Sequence, residues 1–154
     1  MTNEERAAIV AEARSWVKTP YIGHACIKGV GTDCGQLIYG VYRAVGLLPE
    51  ITDLPKDYSL QVAQHHESKE YMELIDKYFS PVDESAVLPG DLVCYQLGKA
   101  MAHAAIVVSW PSFVIQAELR HGVSGSHGIN NPWLRQRHYL HGTVRVFRTL
   151  KGGL

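Results

Sequence analysis

The stretch GVGTDCGQLIYGVYRAVGL, residues 29–47, changes from loop composition to helical periodicity at a single cysteine, Cys34. The glycines before it are typical of a loop. The apolar residues after it recur at the spacing of one helix face: Leu37, Ile38, Val41 and Val45. Gly46 is a typical residue for the end of such a helix. The stretch therefore predicts a helix that begins near Cys34, buries one apolar stripe and ends near Gly46.

Cys34 lies in the first turn of this predicted helix rather than on its apolar stripe. Asp33, directly before it, suits the N-cap, where a carboxylate accepts hydrogen bonds from backbone N–H groups of the first turn. The partial positive charge of a helix N-terminus favours a thiolate over a thiol. Small residues are also common near helix starts, so the position by itself is consistent with a nucleophile and with a structural residue.

Helical patterns fill the first half of the chain, and strand patterns fill the second. A capping-box pair, Thr2 and Glu5, starts the first helix, and an apolar periodicity over residues 71–78 predicts another. After Pro89-Gly90, short segments rich in β-branched and aromatic residues predict strands: DLVCYQL, AHAAIVVSW, FVIQAEL and GTVRVFRTL. Residues 121–139, with their glycines and asparagines, are predicted to form a long loop. Helices followed by strands predict an α+β fold with an antiparallel sheet.

The composition is that of one globular domain covering residues 1–154, with 46% apolar and 19% charged residues. Basic and acidic side chains number 15 each, and no basic block marks a nucleic-acid partner. No apolar run approaches the roughly 20 residues that span a bilayer, so membrane insertion is not expected. The acidic N-terminus lacks the basic start and apolar run of a signal peptide. The sequence therefore predicts synthesis in the cytoplasm and, for any role outside it, delivery in a virion or by a dedicated secretion route.

The three cysteines, Cys26, Cys34 and Cys94, include no CxxC pair. Their odd number and their spacing argue against a disulfide scaffold and against a structural zinc site. Neither a metal nor another cofactor is expected, and at least one thiol is free.

A nucleophilic thiol needs a base within hydrogen-bond reach, and histidine is the usual one. His103 lies in MAHAAIVVSW, where small neighbours leave room beside its ring. Because the strand is otherwise apolar, a histidine in it requires a hydrogen-bond partner. A buried histidine bonded to the backbone is the alternative interpretation.

Four segments in sequence order resemble the NlpC family of papain-like cysteine hydrolases, in particular its phage-tail and prophage branch: TPYIGHACIKGVGTDCGQLIYGVYRAVGL, LPGDLVCYQ, AHAAIVV and VIQA. The resemblance implies a papain-like α+β domain, with N-terminal helices packed on a C-terminal antiparallel sheet and a helical insertion around residues 51–81. It implies Cys34 as the nucleophile and His103 as the general base in the cleavage of peptide bonds in peptidoglycan stem peptides, through a thioester. Its implied partners are those stem peptides and phage tail proteins.

The resemblance implies Gln116 as the third catalytic residue, with its amide oxygen accepting from the imidazole N–H. Strand geometry tests this assignment. A tight turn at residues 111–112 would place Gln116 opposite Val107, about 13 Å along the strand from His103 and too far for contact. Either the turn is wider, or another residue takes this role. On the tight-turn register Glu118 lies diagonal to His103 on the same face, which makes it the alternative.

The resemblance also implies a substrate-binding group formed by Tyr21, Asp33 and the position of Gly35. Many relatives have a serine where this chain has Gly35, so a hydroxyl that helps to hold a free N-terminal amine is missing. Two other functions stay open. One is a thiol acyltransferase or amidase that uses the same pair on a non-wall substrate. The other is a catalytically silent tail-assembly or binding module with the same fold.

Overall fold

The computed structural model describes residues 1–51, 68–97, 100–127 and 137–144. Its elements follow one another in this order: α1 Asn3–Ser15, β1 Cys26–Ile27, β2 Gly31–Thr32, α2 Cys34–Ala44, α3 Ser68–Tyr78, β3 Phe79–Pro81, a 3₁₀ turn Glu84–Ala86, β4 Leu92–Leu97, β5 Ala100–Ser109, β6 Phe113–Glu118, β7 Gly122–His127 and β8 Arg137–Val144. Residues 52–67 of the expected insertion and residues 145–150 of the last expected strand lie outside the described residues.

Among the described residues, six strands form one sheet in the order β3-β8-β4-β5-β6-β7, and β1 pairs with β2 separately. Each neighbouring pair in the larger sheet is antiparallel. All three helices contact β5, in the middle of this sheet. The predicted α+β architecture, with N-terminal helices on a C-terminal antiparallel sheet, is therefore confirmed.

The loop predicted over residues 121–139 is wrong at both ends. β7 occupies Gly122–His127, and β8 begins at Arg137. β7 pairs with β6 over its whole length. At Gly125 an added side-chain carbon would collide with the ring of Phe113. Glycine here marks close packing inside a strand rather than a loop, and composition alone does not distinguish the two.

The sheet buries apolar residues on both faces. Strand alternation sends Ala104 and Ile106 of β5 into the large core shared with the helices. Ala105 and Val107 face the other way and join a smaller cluster that includes Val93 of β4. Successive residues of β5 therefore lie on opposite faces of the sheet, and each can contact only the side chains on its own face.

A buried ion pair fastens α1 to the start of β4. Asp91 is fully buried, and its Oδ1 accepts from Nη1 of Arg6 at 2.6 Å. Its Oδ2 accepts from the backbone N–H of Leu88 at 2.9 Å. The same Arg6 nitrogen also donates to the carbonyl of Pro89 at 3.0 Å. The Pro-Gly-Asp segment thus holds α1 against the sheet and fixes the point at which β4 begins.

Candidate active site

Asp33 caps α2 and, at the same time, pins the loop that leads to it. Its Oδ1 accepts from the backbone N–H of Gln36 at 2.9 Å, which is the predicted N-cap contact. Its Oδ2 accepts from the backbone N–H of His24 at 2.6 Å. The carboxylate is fully buried. Both oxygens therefore bind backbone N–H groups, and they fix the position of the loop before Cys34, in which His24 has a positive φ.

The sulfur of Cys34 lies against β5 at the residue next to His103. Val107 makes backbone hydrogen bonds with the chain just before β4 through both its N–H and its C=O. The backbone N–H and C=O of successive strand residues point alternately to the two neighbouring strands. Those of Val107 point towards β4, so those of Ala104, three residues earlier, point towards β6. There the N–H of Ala104 donates to the sulfur of Cys34. The pairing of β5 with β6 begins only at Ile106, so the sulfur occupies the place where a ladder partner would otherwise lie.

His103 is nearly buried and hydrogen-bonds to Gln116 across the two strands. The distance from His103 Nε2 to Gln116 Oε1 is 2.9 Å. Gln116 is fully buried, and His103 is 6% exposed. On the other side of the imidazole, the ring of Tyr95 stacks at 5.9 Å with an interplanar angle of 22°. Sequence reasoning missed Tyr95, because only the β4–β5 register places it opposite His103.

The wider turn is what brings Gln116 within reach. In the structure Ile106 of β5 pairs with Ile115 of β6, whereas a tight turn would pair Ile106 with a residue two positions further along β6. The register also shifts by one residue between Val107 and Ser109, next to the turn. Continuing this register places Gln116 opposite Ala105, hence diagonal to His103 on the same face. The tight-turn register, and with it the 13 Å separation, is wrong. Three residues between the paired ends of the strands form the turn instead of two.

Glu118 also belongs to this group, but at the far side of Gln116. The amide Nε2 of Gln116 donates to Oε1 of Glu118 at 2.8 Å. Residues two apart on a strand share a face, so both side chains of β6 lie on the face of His103. The structure thus brings together His103, Gln116 and Glu118 in one chain of hydrogen bonds, with Gln116 in the middle.

Burial keeps both members of the expected catalytic pair neutral. Burial, with a smaller contribution from the negative charge of Asp33, raises the pKa of the Cys34 thiol to about 12. N–H groups of Ala104, Gly35 and Cys34 itself lower it, but by less. Burial lowers the pKa of His103 to about 4, against a smaller opposite effect of its hydrogen bond to Gln116. The expected thiolate-favouring effect of the helix N-terminus is therefore outweighed by burial.

The other expected binding residues lie close to Cys34. Tyr21 is half-buried and forms an isolated bridge with Thr32, at the entry to α2. Burial raises the pKa of Tyr21, and smaller contributions from the nearby Cys34 and Asp33 act in the same direction, which reflects their proximity. Both carboxylate oxygens of Asp33 accept from backbone N–H groups.

Gly35 also lines a small, open apolar pocket with a cavity volume of about 40 Å³. Its walls include Ile38 from α2, Leu74 and Ile75 from α3, and Phe79 from β3. The helix that lies within the expected insertion therefore forms one side of a pocket that begins beside the cysteine.

Burial raises the pKa of both other cysteines, and a smaller rise comes from Asp33 at Cys26 and from Cys34 at Cys94, so both thiols lie close to the site. Cys26 donates its thiol to the carbonyl of Gln36 at 3.3 Å, and Cys94 is buried in the core. Within the described ranges, no three or more His, Cys, Asp and Glu side chains are grouped to hold a metal ion. In the same part of the chain, no helix has the length and apolar character needed to cross a membrane.

Comparison with solved structures gives the same fold. The NlpC/p60 domain of the peptidoglycan hydrolase SagA is 21% identical with a TM-score of 0.61, and the match covers 88% of this chain and 97% of that one. An NLP/P60-family protein of Staphylococcus aureus is 19% identical with a TM-score of 0.65, over 94% of this chain and 43% of that one. RipD of Mycobacterium tuberculosis is 19% identical with a TM-score of 0.55, over 94% and 99%; it is described as a non-catalytic NlpC/p60 domain protein adapted to peptidoglycan binding.

No curated protein sequence matches this chain at a significant level. The sequence model of the NlpC/P60 family, in contrast, matches residues 18–143, which include every residue of the candidate site. The chain therefore belongs to the NlpC/P60 family.

Proposed function

We propose that this protein is a cysteine peptidase that cleaves peptide bonds in peptidoglycan stem peptides, with Cys34, His103 and Gln116 as its catalytic residues. One observation carries the proposal. The sulfur of Cys34 accepts the N–H of Ala104, and the neighbouring His103 hydrogen-bonds through Nε2 to the buried Gln116. A thiol that contacts β5 at the residue beside a histidine, and an amide that orients that histidine, support a nucleophile, a base and an orienting group for acyl transfer to a thiol.

The reaction begins from a neutral thiol and a neutral imidazole. As the sulfur of Cys34 attacks the scissile carbonyl, the S–C bond forms and the thiol proton moves to Nδ1 of His103. The carbonyl oxygen becomes an oxyanion, which the backbone N–H of Cys34 at the helix start stabilises. The C–N bond then breaks, and the imidazolium gives its proton to the leaving amine. Water hydrolyses the thioester with His103 as base, and the thiol is restored.

The neutral resting state follows from burial and sets the task of Gln116. Because the pKa of the thiol is high and that of the imidazole is low, the ion pair forms only together with bond formation. When His103 becomes charged, its Nε2–H donates to the amide oxygen of Gln116, which stabilises the imidazolium without adding a full negative charge. Gln116 thus orients the ring and supports the transition state.

The substrate-binding part of the proposal rests on Tyr21, Gly35 and the apolar pocket. Tyr21 offers a hydroxyl beside Cys34, whereas Asp33 is engaged by two backbone N–H groups. Without a hydroxyl at Gly35, we propose that recognition of a free N-terminal amine is weaker than in relatives with serine there. The small pocket between α2 and α3 suits a small apolar group of the substrate, and we propose that α3, within the insertion around residues 51–81, helps to shape the cleft of a single domain.

The test is digestion of purified peptidoglycan followed by mass spectrometry of the muropeptides. The wild type is expected to release stem-peptide fragments, and Cys34→Ala and His103→Ala are expected to release none while their circular dichroism spectra stay unchanged. Cys26→Ala is the matched control, because it removes another partly exposed thiol near α2 and should keep cleavage. Cleavage by Cys34→Ala at the wild-type rate would refute the proposal. An absence of fragments with the wild type would favour an amidase or acyltransferase acting on another substrate.

A second candidate is a peptidoglycan-binding module without catalysis, which the structural likeness to RipD favours. It predicts that the wild type and Cys34→Ala co-sediment equally with peptidoglycan and that neither releases fragments. Association with phage tail proteins is a further proposal, carried by the sequence resemblance alone.

A further inference from the structure

We infer that Glu118 is a positioning residue: it fixes the orientation of the Gln116 amide and, through it, the tautomer of His103 in which Nδ1 carries no proton and can act as the base. The consequence for catalysis rests on the proposed function. The tautomer itself does not, because it follows from hydrogen-bond donors and acceptors alone.

The argument begins at Glu118, since a carboxylate oxygen accepts hydrogen bonds and does not donate them. The group of Gln116 that lies 2.8 Å from Oε1 of Glu118 must therefore be its NH₂. With the NH₂ directed at Glu118, the amide oxygen is directed at His103, 2.9 Å from Nε2. An amide oxygen only accepts, so Nε2 must carry a proton. In the neutral imidazole the proton can lie on only one nitrogen, and Nδ1 keeps its lone pair.

Gln116 cannot make this choice by itself. If its amide rotated by half a turn, the NH₂ would face His103, and Nε2 would have to accept. The proton of the neutral ring would then lie on Nδ1, and no lone pair would be available there to receive the thiol proton. Glutamine fits either orientation almost equally, so an asymmetric partner on its other side is needed to decide between them. Glu118 is that partner.

The strand register provides the space for this arrangement. Glu118 and Gln116 are two residues apart on β6 and share a face. Opposite Glu118, the paired residue of β7 is Gly122, which presents no side chain to compete for the carboxylate. Gln116 is fully buried whereas Glu118 is partly exposed. The carboxylate therefore stays hydrated on one side while it holds a buried amide on the other.

The test is direct observation of the His103 tautomer by ¹⁵N NMR in protein labelled at the histidine ring nitrogens. The resonances of His103 are assigned by their loss in His103→Gln, and spectra are taken at pH 7.5, where burial keeps the ring neutral. The wild type is expected to show the proton on Nε2. Glu118→Lys replaces the acceptor by a group that only donates, so the amide should rotate and the proton should move to Nδ1. Glu118→Gln can donate as well as accept, so it should no longer decide the orientation and should give a mixture of the two tautomers.

Glu84→Lys is the matched control, since Glu84 is also a carboxylate that accepts a side-chain N–H, at 3.0 Å from Trp110, and the charge change is the same. It should leave the His103 tautomer unchanged. A wild-type spectrum with the proton on Nδ1, or a Glu118→Lys spectrum identical to the wild type, would overturn the inference. If Glu118→Lys does not fold, the wild-type spectrum and that of Glu118→Leu, which should show a mixture of tautomers, still decide it.

Activity gives a second readout that separates the two proposals. If the protein cleaves stem peptides, Glu118→Lys should lower kcat by at least about 10²-fold with little change in KM, by analogy with the loss when a catalytic histidine is held in its wrong tautomer. Glu118→Gln should stay within about 5-fold of the wild type, since in a mixture of tautomers part of the protein still carries the proton on Nε2. If the wild type cleaves nothing, the proposed function fails, while the tautomer measurement still supports or overturns the role of Glu118. A Glu118→Lys variant with normal kcat would overturn it.

Discussion

Replacing Asp33 by alanine should destabilise the fold far more than the loss of an ordinary helix cap. The reason is that its two carboxylate oxygens hold two different pieces of backbone. One accepts from Gln36 in the first turn of α2, and the other accepts from His24 in the preceding loop. The side chain is fully buried, so water cannot replace it at either N–H group without entering the core.

The expected magnitude follows from these two contacts. Loss of an N-cap costs about 1 kcal/mol, and leaving a second, partly buried donor without an acceptor adds about 1–3 kcal/mol. Asp33→Ala should therefore lower the free energy of unfolding by about 2–4 kcal/mol. For a chain of this size, the corresponding fall in Tm is about 10 °C.

The matched control is Asp83→Ala. Asp83 also caps a helical turn, through the backbone N–H of Ser85 at 3.0 Å, but its side chain is exposed. Urea unfolding followed by tryptophan fluorescence compares the two variants under the same conditions. If Asp83→Ala shifts the urea midpoint as far as Asp33→Ala does, the claim that burial and the second contact make Asp33 special is wrong.

Asp33→Asn separates charge from hydrogen bonding. Asparagine caps helices about as well as aspartate, so the contact with Gln36 is expected to persist, while the bond from His24 loses its charged acceptor. Since the charge of Asp33 raises the pKa of Cys34, its removal should lower that pKa. The pH midpoint for alkylation of Cys34 by iodoacetamide, followed by peptide mass spectrometry, should move to lower pH. A shift to higher pH would contradict the electrostatic reasoning.

Three further predictions concern stability. Arg6→Met should cost about 3–5 kcal/mol in urea unfolding, because it strands a buried carboxylate, whereas Arg43→Met, at an exposed ion pair of 3.6 Å, should cost little. Burial lowers the pKa of His103 from 6.5 to about 4, so the unfolded chain binds the additional proton and stability falls as the pH drops through this window. The expected loss of stability is about 3 kcal/mol. Urea unfolding at a series of pH values should show this loss in the wild type and not in His103→Asn. An equal dependence of stability on pH in the two proteins would argue against this reasoning. In thermal unfolding, Gly122→Ala should be more destabilising than Gly29→Ala by about 1–3 kcal/mol. Both glycines have a positive φ, but only at Gly122 would the added carbon collide with backbone. Equal losses of stability would contradict this.

Local patterns predicted the parts of the site that lie within one element. The cap at Asp33 and the buried stripe with Leu37 and Val41 depend on neighbours within a few residues, and they appear where they were expected. The glycines of β7, in contrast, do not show from local sequence whether this segment is a loop or a strand. Glycine is typical both of a loop and of a strand against which an aromatic ring packs, and only the contact of Gly125 with Phe113 distinguishes these cases.

The sequence by itself determined the α+β order of elements, the helix that begins at Cys34, and the candidates Cys34 and His103, because each depends on a local pattern along the chain. Gln116 came from the family resemblance, and strand spacing alone did not support it. Only the tertiary structure decided that Gln116 rather than Glu118 contacts His103, and that Glu118 lies behind it. A change of a single residue in the length of a turn moves every cross-strand neighbour, and turn length is weakly encoded by composition. Likewise, helix position alone favours a thiolate at Cys34, but the neutral thiol follows from burial, which only packing of the whole chain creates.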